Sequence, residues 1–179
     1  MNKTERYYQE YMSHRHVSRR GLFRAFVTAS RNVAPPASSL PPWPLPPGAS
    51  SATQFLTACT RCGQCADACP MGVIIQREDG YPQLAIEFAS CDGCGQCIEA
   101  CTTDVLQHQA HFDTRLRPSF STQCTHASRG CRQCATACPV QACAFTESAL
   151  PVVNNERCNG CGECMVQCDR QAITLAQYG

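Results

Sequence analysis

Seventeen of the 179 residues are cysteine, and sixteen of those fall into four runs. The first reads Cys59-x2-Cys62-x2-Cys65-x3-Cys69, the second Cys91-x2-Cys94-x2-Cys97-x3-Cys101, and the fourth Cys158-x2-Cys161-x2-Cys164-x3-Cys168. The third is stretched at its first gap: Cys124-x6-Cys131-x2-Cys134-x3-Cys138. Soft, deprotonated sulfur at a step of three wraps a tight loop around one inorganic centre, and iron–sulfur chemistry needs that ligand in that arrangement. Zinc prefers two separated cysteine pairs, which these compact runs fit poorly. A disulfide scaffold fits no better, because the cysteine count is odd. It would also require export, and the best apolar stretch near the start, residues 22–29, is broken by Arg24 and Thr28. The expected compartment is therefore the cytoplasm, where thiols stay reduced and dense cysteine signals metal.

The spacing is that of the bacterial ferredoxin run, whose fourth cysteine reaches the other cluster of a pair. The expected cofactors are four [4Fe–4S] clusters with exchanged fourth ligands. One takes Cys59, Cys62, Cys65 and Cys101, and the next takes Cys91, Cys94, Cys97 and Cys69. In the second half, Cys168 joins Cys124, Cys131 and Cys134, and Cys138 joins Cys158, Cys161 and Cys164. Glycines beside the central cysteines (Gly63, Gly93, Gly95, Gly160, Gly162) let the backbone pass close to sulfur. The stretched third run leaves two readings open. Its insertion loops out and the cluster is complete, or Cys124 misses and the site holds three irons or none. His126 in that gap reads as an exposed loop histidine. Cys143, the seventeenth cysteine, takes the slot of Ile74, Leu106 and Ile173, and reads as a small buried hydrophobe or a substitute ligand.

First cysteines recur at intervals of 32, 33 and 34 residues, so one structural unit is copied four times. Apolar residues stand four and five places past each fourth cysteine and predict a short strand. Asp79-Gly80 predicts a hairpin turn returning through residues 81–88, and residues 150–153 play that role in repeat three. The expected fold is α+β: tandem bacterial-type 2[4Fe–4S] ferredoxin-like modules of short strands and helices, with an irregular or helical N-terminal extension. The expected boundaries are a basic, partly helical head (1–34), a proline-rich linker (35–50), module one (51–113) and module two (114–179). Units this small bury little core and need staples, so iron removal is expected to unfold residues 54–179.

Formal net charge is +1, but residues 1–50 carry seven Lys/Arg against Glu5 and Glu10, and the remainder carries eight basic against twelve acidic residues. Each resting cluster with four thiolates adds about −2, which takes the repeat region to about −12 and leaves the head as the one positive surface. No apolar run is long enough to span a membrane. No phosphate loop, dinucleotide fingerprint or nucleophile–base pair stands out, so no catalysis by this chain alone and no nucleic-acid partner is expected.

The order of features resembles the NapF family, ferredoxin-type accessory proteins of the periplasmic nitrate reductase system. The resembling residues are Ser18-Arg19-Arg20-Gly21-Leu22-Phe23, then Pro41-Pro42-Trp43, then Phe55-Leu56-Thr57-Ala58-Cys59-Thr60-Arg61-Cys62, followed by four cysteine runs with the third stretched. The resemblance implies a cytoplasmic maturation protein. It would contact the catalytic nitrate reductase subunit before export and serve the assembly or redox loading of that subunit's cluster. A plain electron-transfer ferredoxin, or an electron-transfer subunit of a redox complex, is the alternative with the same ligands. Ser18-Arg19-Arg20 also looks like a twin-arginine export signature, but no apolar stretch follows it, and it reads as a basic amphipathic helix.

Overall fold

The computed structural model describes residues 41, 43–145 and 150–178. The basic head with Arg19 and Arg20 lies outside the described residues. Those that are described all belong to one unit of the chain, residues 38–179. Its elements in chain order are α1 (Ala52–Ala58), α2 (Gln64–Asp67), β1 (Ile74–Gln76), β2 (Pro82–Leu84), α3 (Gln96–Glu99), β3 (Leu116–Phe120), α4 (His126–Arg129), α5 (Gln133–Thr136), β4 (Cys143–Ala144), β5 (Val152–Val153), α6 (Glu163–Val166) and β6 (Ile173–Gln177).

The same scheme is built twice. Within each half a hairpin separates the two cysteine runs: β1 pairs with β2 in the register Ile74↔Leu84, and β4 pairs with β5 in the register Cys143↔Val153. Around each half, the segment before the first run pairs with the segment after the second. In the second half this is β3 against β6, antiparallel from Leu116↔Gln177 to Phe120↔Ile173. In the first half it shrinks to one bridge, Ala49↔Leu106, reinforced by the Gln107 N–H donating to Gly48 O at 2.8 Å. Of the strands expected past the fourth cysteines, three begin where the sequence puts them, as β1, β4 and β6, while past Cys101 only the single bridge at Leu106 forms. The return through residues 81–88 is shorter: only Pro82–Leu84 pairs as a strand, followed by one bond from Ala85 N–H to Val73 O at 2.7 Å.

The core is one continuous cluster that includes Phe55, Val73, Leu84, Ile86, Val105, Leu106, Leu116, Met165 and Ile173. The halves are stitched along the loops of repeats two and four. Cys91 N–H donates to Cys161 O at 2.9 Å across them, and within the second half Thr114 Oγ1 donates to Gly160 O at 2.7 Å. Gly162, at φ +86°, has no room for a side chain because Ile86 fills the place a Cβ would take.

The stretch read as a linker needs correcting in its last third. Residues 46–49 are buried, and Pro44 O accepts from Leu84 N–H at 2.9 Å. Proline brings no N–H, so a proline-rich segment can be laid on a core without stranding donors, while its carbonyls remain available. Trp43 anchors the segment: its ring carries the Arg77 guanidinium at 3.8 Å and lies 6.4 Å from the Tyr81 ring. Ser51 then caps α1 by accepting from Gln54 N–H at 3.2 Å.

Candidate iron–sulfur centres

Every run presents its thiols by one device. The third cysteine lies inside a four-residue helical turn and is buried: Cys65 in α2, Cys97 in α3, Cys134 in α5 and Cys164 in α6. A left-handed glycine enters three of these turns (Gly63, Gly95, Gly162), whereas Arg132 at φ −133° enters the third. The fourth cysteine follows each turn's C-cap and leaves its own run. α2 packs on α3 and α5 on α6, which brings the exchanged partners together.

Cys69 shares a cavity with Cys91, Cys94 and Cys97, closed by Met71, Ile74, Ile98 and Phe112. Cys101 is felt electrostatically by Cys59 and Cys65. Cys138 is felt in the same way by Cys158 and Cys161. Cys124, Cys131, Cys134 and Cys168 line one cavity with Phe120 and Ile173. The stretched gap is therefore taken up without displacing Cys124. Its six residues wind into the helical turn α4, ended by left-handed Gly130. His126 is not a free loop histidine. It is half-buried, stacks on Phe145 with centroids 4.1 Å apart, and places Nδ1 3.1 Å from Cys131 O.

Among the described residues, no three His, Cys, Asp or Glu side chains gather closely enough to share one metal ion. Convergence on one ion is what a mononuclear zinc site needs. A four-iron core takes one thiolate per iron at separate corners, so the donor set and its spread fit a cluster.

Without a bound metal, burial favours the protonated form of most of these thiols. Burial pushes the Cys65 and Cys91 thiols up to about 12 and Cys97 to about 11, with neighbouring thiols adding to the rise. Burial raises Cys59 too, and the Arg61 N–H and guanidinium pull against it. Cys101 runs the other way: burial opposes ionisation, but the Thr103, Leu106 and Val105 N–H groups and the Thr103 hydroxyl outweigh it and lower the thiol. Ala142 N–H and Ala172 N–H donate to Cys138 Sγ and Cys168 Sγ at 3.2 and 3.4 Å. These N–H groups would support thiolate ligands of a bound cluster.

Cys143 is half-buried between the two third cysteines of its module. The neighbouring Cys134 thiol lowers its pKa, while the Cys164 thiol and burial raise it, and the thiol is pushed up to about 12. It does not line the cavity holding Cys124.

Sequence reasoning missed several supporting side chains. Asp92 and Asn159 turn the loops of repeats two and four by accepting from Cys94 N–H and Cys161 N–H at 3.1 and 3.2 Å. Asp-Gly and Asn-Gly inside a C-x2-C gap were the available signal. Arg61 occupies the equivalent loop in repeat one with φ +59°, and no residue pattern marks it.

Comparison with known proteins agrees with this geometry. A 4Fe-4S dicluster domain family matches residues 52–106, and 4Fe-4S binding domain families match residues 122–141 and 150–173. An uncharacterized protein of Haemophilus influenzae is 46% identical over 97% of this chain and 99% of its own. The ferredoxin-type protein NapF of the same organism is 35% identical over 73% of this chain and 77% of its own. NapF of Escherichia coli is 34% identical over 74% and 84%. Exchanged thiol sets, two copies of one module and these relatives lead to one conclusion: the chain belongs to the family of ferredoxin-type 4Fe-4S proteins.

Proposed function

We propose that the chain holds four [4Fe–4S] clusters on the sixteen thiols grouped above, three of them on regular runs and one on the stretched run. The observation that carries the fourth is the cavity lined by Cys124, Cys131, Cys134 and Cys168. Bound clusters supply one-electron chemistry, and the protein sets potential and access. The chain's own part is to hold the thiolates, to aim N–H groups at them, and to bury the third thiol of each run while leaving Cys62 and Cys94 exposed.

We further infer that the electrons serve another protein's assembly. The chain acts, without catalysis of its own, as a cytoplasmic maturation factor for the catalytic subunit of periplasmic nitrate reductase. The support is the similarity to NapF proteins along most of their length and a basic head that a minimal ferredoxin does not carry. Among the described residues no helix is long and apolar enough to cross a membrane.

The test is anaerobic co-purification of tagged full-length protein with the nitrate reductase catalytic subunit, paired with the iron content of that subunit made with and without this chain. Co-purification and a subunit short of iron without the chain are expected. No association, with a fully loaded subunit in its absence, returns the assignment to a free electron-transfer ferredoxin.

A further inference from the structure

Repeat one departs from its copies at one backbone position. Where repeats two and four have Gly93 and Gly160, it has Arg61 at φ +59°. Left-handed backbone is unfavourable for a residue with a side chain and persists only where the surroundings enforce it. Around Arg61 they do. Its guanidinium lies over the Tyr81 ring at 4.1 Å and donates to Tyr81 Oη at 3.0 Å and Asp79 O at 3.3 Å. Gln76 Nε2 donates to Arg61 O at 2.9 Å, and Tyr81 Oη donates to Leu56 O at 2.7 Å. The β1–β2 hairpin thus holds one cation in a single place.

Among the described residues that cation has no carboxylate partner; the ion pairs there are Arg77 with Asp79 and Arg117 with Asp113. Arg61 is exposed, and so is the adjacent thiol, Cys62. The matching thiols of repeats three and four, Cys131 and Cys161, are half-buried. Cys94 in repeat two is exposed, but its loop carries the acid Asp92, whose carboxylate accepts from Cys94 N–H. One exposed thiol is therefore flanked by a fixed positive charge and the other by a negative one, in a repeat region with more acids than bases.

We propose that the Arg61–Cys62 corner is the electron port of the molecule, where an acidic redox partner sets its carboxylates on Arg61. In each encounter one electron moves between the two centres, one losing what the other gains, and no bond or proton changes hands. The proposal rests on a cluster being bound at Cys59, Cys62, Cys65 and Cys101. A fixed charge beside the exposed edge attracts anions and repels cations over about one Debye length, so its effect reads out as a salt-dependent rate.

The test is stopped-flow oxidation of the fully loaded, dithionite-reduced protein by ferricyanide, an anion, and by hexaammineruthenium(III), a cation. Arg61→Glu should slow ferricyanide and speed hexaammineruthenium, each on the order of tenfold at low salt, with the gap closing as salt rises. Arg61→Lys keeps the charge and should follow the wild type. Unchanged rates with both reagents in Arg61→Glu overturn the port. So does an Arg61→Lys protein that behaves like Arg61→Glu, because the residue would then act through loop shape. Failure of the cluster reading is visible separately, as missing iron and sulfide in the wild-type protein before any kinetics.

Discussion

Replacing Cys124 by alanine should remove one cluster and leave three, taking iron from about sixteen to about twelve atoms per chain at four per cluster. The expectation turns on whether the stretched gap still delivers its first thiol. Lengthening the gap from two to six residues adds about 1 kcal/mol of closure entropy. Against it stands the His126–Phe145 stack, 4.1 Å and 29°, worth about 0.5–1.5 kcal/mol. The contact of His126 Nδ1 with Cys131 O at 3.1 Å adds about 1 kcal/mol. Together these match or exceed the added entropy, so Cys124 reaches the cavity at no net cost and should ligate as the first cysteines of the regular runs do.

The assay is iron and acid-labile sulfide per chain on anaerobically purified protein, with the electron paramagnetic resonance spectrum after reduction. Cys143→Ala is the companion variant, and it should keep the full count because Cys143 stands outside the Cys124 cavity. His126→Ala should fall between, losing part of one cluster as the loop frays. If Cys124→Ala keeps all its iron while Cys143→Ala loses a quarter, the ligand is Cys143 and the reasoning about the loop is wrong.

Further outcomes follow from the packing around single residues. Gly162→Ala meets Ile86 at φ +86° and should destabilise the folded, loaded protein by about 2–4 kcal/mol, read as a drop in the thermal midpoint. Gly130→Ala, at φ +64° with nothing within 4 Å, should cost only the backbone term, about 1 kcal/mol. Asp113→Asn breaks the paired bonds to Arg117 at 2.7 and 2.8 Å. Burial opposes ionisation of Asp113, but Arg117 and the Arg115 N–H outweigh it and hold the carboxyl below its ordinary 3.8. A lowered folded value means that the stabilisation is present above the unfolded value and lost as pH falls through the folded one. The midpoint difference between wild type and Asp113→Asn, under about 1 kcal/mol at this partly exposed site, should therefore hold from about pH 5 to 8 and shrink below about pH 4. Anaerobic chelation of iron should collapse the far-ultraviolet circular dichroism of residues 54–179, and a retained spectrum would show that the core folds without its staples.

Cysteine spacing made legible which thiols the fold brings together, because it is a local signal with a rigid geometric meaning. The strands β1, β4 and β6 past three of the fourth cysteines were legible for the same reason, as apolar pairs at a fixed offset. The pairing of β3 with β6 was not. Its two strands lie more than fifty residues apart, and Pro118 in the middle of β3 argues against a strand unless that strand is an edge, as both members of a two-stranded sheet are. Residues 43–50 misled for a different reason. Seven prolines between residues 35 and 47 read as a spacer, yet what decides packing there is Trp43 finding Arg77 and Tyr81 far along the chain. Cys143 opens β4 in the slot the repeat gives it, but its nearness to the Cys134 and Cys164 thiols depends on how α5 and α6 cross, which composition does not carry.

The departures of each repeat from its siblings record what lies over it. The chain leaving Leu106 crosses the molecule to reach β3, and on the way Phe112 lies against Gly93, while Thr114 and Leu116 lie against Gly160. A side chain at either glycine would strike that strap, so those two loops must have glycine, and their left-handed backbone comes without strain. Among the described residues no strap crosses the equivalent loop of repeat one. Its neighbours are Tyr81 and the hairpin turn, which accept a long side chain and bond it. Open space at this loop thus permits Arg61 beside the exposed Cys62. A strap carried over repeat one would be expected to displace the Arg61 side chain and its charge, whereas the thiol need not be covered, because Cys94 stays exposed with Phe112 lying against Gly93.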